Sequence, residues 1–139
     1  MILPELNKLL AYQNRRVIQD FCFQQPQLTP SQVQQQFEDL SGWMWLTVYR
    51  KLQHKKTWLF GPLLTLDELW HCFILHTRDY HAFCQQFFGE YFHHDREEHD
   101  HEYELQPEEL ADFLQDCFLH LGEEWVERHF AQFFISVEN

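Results

Sequence analysis

Asp67 and His71 stand four residues apart, followed at longer range by Cys84 and by a run that opens with His93 and His94. Four apart on a helix means adjacent on its surface, so the Asp67 carboxylate can reach the His71 imidazole. A carboxylate one turn before a histidine orients the ring and raises its basicity, which serves either a metal-bound histidine or a general base. The bland alternative is a half-buried histidine pairing locally to satisfy its ring N–H. From His93 to Glu102 four histidines mix with five carboxylates. That is donor chemistry suited to zinc, nickel, copper or iron, and equally a solvated acidic loop. Cys84 could add a thiolate. Its place among Tyr80, Phe83, Phe87 and Phe88 instead suggests a small hydrophobe in a core, where burial suppresses the thiolate.

Position in the chain limits any site these residues share. His71 and His94 are 23 residues apart, about 35 Å along one straight helix at 1.5 Å per residue. They meet on one ion only if the chain bends near Thr77 and folds back after Gly89. Leu66, Leu69, Trp70, Phe73 and Ile74 form one apolar stripe, and Tyr80, Phe83, Cys84, Phe87, Phe88 and Tyr91 form a second at the same spacing. Thr77, between the stripes, suits a new helix start. Gly61-Pro62 marks a break ahead of the first stripe, and Thr65 with Glu68 reads as a capping box there.

The rest of the chain reads as helix too. A first helix is expected from Pro4 to about Phe23. A second, capped by Thr29 or Ser31, carries Val33, Phe37, Leu40, Met44 and Val48, with a kink allowed at Gly42. Arg50, Lys51, Lys55 and Lys56 make the one cationic patch, expected at a solvated helix end. Pro107 opens a last helical region with Leu110, Phe113, Leu114, Cys117, Phe118 and Leu121. After Gly122 the pattern resumes with Trp125, His129, Phe130, Phe133 and Phe134. No alternating strand pattern competes. The fold class expected is all-α: residues 1–139 as a single domain, a bundle of roughly four to six helices. Fourteen Phe and five Trp supply the core.

Charge narrows the partners. With 22 acidic against 10 basic residues the formal charge is −12, a field that repels nucleic acid and anionic membranes and favours cations or cationic partners. No stretch approaches the length of an apolar transmembrane helix. Four cysteines without close spacing (Cys22, Cys72, Cys84 and Cys117) suggest free thiols and a cytoplasmic setting. No nucleophile elbow or phosphate-cradling glycine loop is present, so no catalytic residues are assigned.

The segments Leu66-Asp67-Glu68-Leu69-Trp70-His71, Leu75-His76-Thr77-Arg78-Asp79-Tyr80, Phe83-Cys84, Phe88-Gly89 and His93-His94 together resemble the glycine-rich domain-containing-protein-like family. Its members show a D-x-x-W-H helix, then T-R-x-Y-x-x-F-C, a Gly and a terminal His. The resemblance covers roughly Gly61 to His94, with weaker similarity over Trp43 to Leu52. It implies a small helical domain with Asp67, His71, Arg78, Tyr80, Cys84 and His94 as its recurrent polar positions. Two departures stand out: Phe73 occupies a position that is often a second His, and Asp95-Arg96 replaces the Pro that commonly follows the last His. The reading placed first is therefore a non-catalytic module that binds a partner protein. The alternative is a transition-metal site, zinc for example, on His71 and His94 with Asp67 and less readily Cys84, any enzymatic role depending on that metal.

Overall fold

The computed structural model describes residues 1–95 and 105–138, with side chains up to residue 132. Arg96 to Glu104, most of the acidic histidine run, and the Phe133 and Phe134 side chains lie outside the described residues. Among the described residues the chain is all helix and turn: α1 (Leu6–Leu10), α2 (Arg15–Gln24), α3 (Pro30–Lys51), α4 (Leu64–Leu75), α5 (Thr77–Phe88), α6 (Pro107–Asp116) and α7 (Glu123–Glu138). A 3-10 turn, Gly61–Leu63, leads into α4, and a π-helical turn, Cys117–Leu121, follows α6. These seven α-helices exceed the four to six expected, mainly because the first expected helix is two. Asn14 accepts a hydrogen bond from the Val17 amide at 3.1 Å and so caps a fresh start at α2, a role asparagine fills well. Tyr12, released from helical geometry, enters the core with its ring 4.9 Å from Phe83.

The 22-residue α3 is the central element, packed against α1, α2 and α4. Its start is a reciprocal capping box: Thr29 Oγ1 accepts from the Gln32 amide, and Gln32 Oε1 accepts from the Thr29 amide. Gly42 does not end it. The missing side chain instead admits Leu121, whose Cδ2 would sit 3.2 Å from a Cβ there. The core is aromatic around this helix, with Trp43, Trp70, Phe73, Tyr80, Phe83 and Phe88 all buried. Rings of this size each bury on the order of 150–250 Å², ample for an independent fold.

Two expectations about polar residues are corrected. The Thr65–Glu68 box does not form, because the turn containing Pro62 sets helical geometry early and α4 begins at Leu64, leaving Thr65 inside the helix. Arg50 is not solvated. It is 2% exposed, donates from Nε to the Lys56 carbonyl at 2.8 Å and from one terminal nitrogen to Asp112 and Asp116 at 3.0 and 2.5 Å. Those aspartates lie one turn apart on α6, so the ion pairs tie α6 to the end of α3.

Two breaks then shape the region of interest. His76 (φ −81°, ψ 68°) separates α4 from α5, and the Tyr80 amide donates to its carbonyl at 2.8 Å to open the new helix. Gly89 ends α5 in the left-handed region at φ 76°, where glycine alone carries no steric penalty. A side chain there would also strike Ile2 at 2.9 Å. The chain therefore turns back along α4.

Candidate metal centre

The bend and the return bring His94 onto the flank of α4 that carries Asp67 and His71. His94 Nε2 lies 2.5 Å from Asp67 Oδ1 and 3.1 Å from His71 Nε2, and the His71–Asp67 separation is 3.5 Å. Three donor atoms from two chain segments thus face one point. Tetrahedral zinc with bonds of 2.0–2.1 Å sets its nitrogen and oxygen donors about 3.3 Å apart, close to two of the three separations. His94 Nε2 carries either one hydrogen or one lone pair, so satisfying Asp67 and His71 together requires a shared hydrogen. A cation at the common point satisfies all three donors at once.

The surroundings hold this geometry. The His94 ring packs on the buried indole of Trp70, centroids 4.1 Å apart. Trp70 Nε1 donates to the Tyr80 hydroxyl at 3.0 Å, and that hydroxyl donates to the Phe92 carbonyl, two residues before His94. Burial pushes the Tyr80 phenol above its ordinary range, which favours the protonated hydroxyl that donates here. Side-chain exposure grades across the cluster: 14% at His94, 23% at Asp67 and 59% at His71. Among the described residues, the His71 side of the site is the more open one.

Cys84 lies outside this cluster. It is fully buried, and burial raises its thiol, partly offset by hydrogen bonds to the Phe92 backbone and the Tyr80 side chain. It is a packing residue, and its candidacy as a ligand has no geometric support. His93 turns aside to pack on Tyr91, centroids 4.7 Å apart, so of the histidine run His94 is the described member that reaches the centre.

A sequence model for a family described as UCP032817-like matches residues 8–110. The chain belongs to the UCP032817-like family. Searches of curated proteins and of solved structures return no match. The span matching the UCP032817-like family takes in α2 to the start of α6, and with it Asp67, His71 and His94.

A second polar cluster lies partly beyond that family match. Asp39, buried in α3, accepts from Arg128 Nε and its terminal nitrogen at 2.9 and 2.7 Å and pairs with His129 Nε2 at 2.8 Å. Trp125 Nε1 donates to the Asp39 carbonyl at 3.2 Å. Burial pulls the Asp39 carboxyl upward, but the hydrogen bonds and charges of His129 and Arg128 outweigh it and leave the group below its ordinary range. This arrangement fastens α7 to α3. On the sequence His129 falls on an apolar stripe; its partner is an acid buried 90 positions away.

Among the described residues, no helix is long and apolar enough to cross a membrane.

Proposed function

We propose that this UCP032817-like chain is a helical metal-binding module that holds one divalent transition-metal ion of the zinc class on Asp67, His71 and His94. The observation that carries the reading is the convergence of Asp67 Oδ1, His71 Nε2 and His94 Nε2 on one point. Two imidazoles and one carboxylate suit zinc and its neighbours better than magnesium or calcium, which prefer all-oxygen shells. The D-x-x-W-H helix and terminal histidine behind the resemblance to glycine-rich domain-containing proteins would then be the ligand frame, with Trp70 as the platform under His94. Exposure of His71 leaves a fourth position for water or for a side chain from a partner. Catalysis by metal-activated water would need that position.

Protein binding is the second reading. Phe118 and Leu119, adjacent on the π-helical turn, are 52% and 63% exposed, which supports a contact surface there. The four free cysteines fit a reducing, cytoplasmic setting.

The deciding experiment uses tag-free full-length protein equilibrated with zinc, dialysed, and measured by elemental analysis. His71→Ala and His94→Ala should each remove one equivalent of bound zinc while leaving the circular dichroism spectrum unchanged. Equal zinc content in wild type and both variants sinks the metal reading.

A further inference from the structure

α4, together with the residue that caps its C-terminus, carries two donor pairs at helical spacing. Asp67 and His71 form the first. Cys72 and His76, again four apart, form another, displaced by five residues and so about 140° around the axis at 100° per residue. This second pair faces α2, where Asp20 and Gln24 are themselves four apart. His76 Nε2 lies 3.0 Å from Asp20 Oδ2, and Cys72 Sγ lies 3.7 Å from the same oxygen. Gln24 Nε2 approaches Cys72 Sγ at 3.8 Å. Rotating that amide by half a turn, an assignment the hydrogen-bond network alone decides, would turn its carbonyl oxygen toward Cys72.

Sulfur, imidazole nitrogen and carboxylate oxygen thus come together from two helices. For tetrahedral zinc the expected separations are about 3.5 Å between sulfur and oxygen and about 3.3 Å between nitrogen and oxygen, close to the distances here. The soft donor is innermost: Cys72 is buried, while the His76 and Asp20 side chains are 24% and 44% exposed. A cation would therefore approach past the carboxylate and end on the sulfur. Burial, reinforced by Asp20, pushes the Cys72 thiol up to about 11, so a metal ion would have to displace a firmly held proton.

We propose that Cys72, His76 and Asp20, with Gln24 as the fourth donor, form a second cation site between α2 and α4, specific for thiophilic divalent ions of the zinc class. Binding breaks the Cys72 S–H bond, forms a sulfur–metal bond and releases one proton to solvent, with no electron transferred. The site is separate from the Asp67 cluster and stands or falls independently of it. Its thiolate gives it a stronger preference for soft ions than two imidazoles and a carboxylate can supply.

Cobalt(II) is the probe, titrated anaerobically into tag-free full-length protein kept reduced by a phosphine. The expected result is an intense near-ultraviolet thiolate-to-cobalt charge-transfer band whose amplitude at saturation corresponds to one thiolate-bound cobalt per chain. Cys72→Ser should abolish the band, while His71→Ala should leave it intact. Asp20→Asn and His76→Gln, both at the solvent-facing rim, should weaken the cobalt affinity read from the band by more than about tenfold, the lower end of what outer-shell partners alone supply. A wild-type protein with no charge-transfer band at saturating cobalt overturns the proposal, as does a band that survives Cys72→Ser. Should the Cys72 variant fail to fold, unchanged affinity in both rim variants overturns it equally.

Discussion

Asp39 and Asp67 are both helix-borne carboxylates that meet histidine, yet their surroundings differ and, on the proposed function, so do their roles. Asp39 is 3% exposed and is gripped by the Arg128 guanidinium as well as by His129. A permanent cation already satisfies it, and the assembly joins two helices. Asp67 is more open and meets two imidazoles whose Nε2 atoms are themselves in contact. A carboxylate held by arginine resists a metal, whereas one that meets imidazoles could share them with an ion, as the proposed function requires. Residue type alone does not separate tie from site; the third partner and the solvent do.

The comparison is broken most directly at Asp39. Asp39→Ala strands the buried His129 imidazole, while the Arg128 guanidinium can rehydrate, and should cost about 3 kcal/mol, the low end for breaking one side of a buried pair. Asp67→Ala in metal-free buffer should cost about 1 kcal/mol or less, as for a partly exposed pair. Urea unfolding of both variants checks this, and equal losses would erase the distinction.

Tyr80→Phe should have an intermediate effect. It leaves the Trp70 N–H and the Phe92 carbonyl without their shared partner, a loss of about 1–3 kcal/mol. Because that hydroxyl anchors the segment delivering His94, zinc affinity should also fall, by about 10–100-fold as for outer-shell groups. A stability loss with unchanged zinc affinity would show that the tether plays no part in positioning the ligand.

The smallest effect is expected from acid. Asp39 has a folded-state pKa below its unfolded one, so its contribution is present above the ordinary carboxylate range near 4 and is lost as pH falls through the lower folded value. Protonated Asp39 still offers hydrogen-bonding oxygens, so this loss should be a fraction of that in the alanine variant. Melting temperatures recorded from pH 6 to pH 2.5 should fall less steeply for Asp39→Asn than for wild type.

Much of the fold was legible because helical periodicity is local. The stripes of α4 and α5, the break between them at His76, the Thr29 cap and the Pro107 start all follow from neighbours within a few residues. The Asp67–His71 pair was readable for the same reason. His94 was readable only as a condition, since its arrival depends on a bend and a left-handed glycine acting together. What local patterns missed is decided at long range. Arg50 reads as a surface charge until Asp112 and Asp116 come to it from 62 and 66 positions away. Asp20 gives no sign that Cys72 and His76 will face it. The Cys72–His76 spacing was itself a signal, masked because Cys72 falls within an otherwise hydrophobic segment and His76 sits at a helix end.

The Tyr80 hydroxyl also has a consequence for chain entropy. By gripping the Phe92 carbonyl it leaves little beyond the torsions of His93 between a fixed core and a donor atom. A ligand on a free loop would surrender many conformations when a metal arrives; His94 surrenders few, and its ring already rests on Trp70. Much of the ordering that the proposed three-donor site would demand is therefore completed when the aromatic core folds.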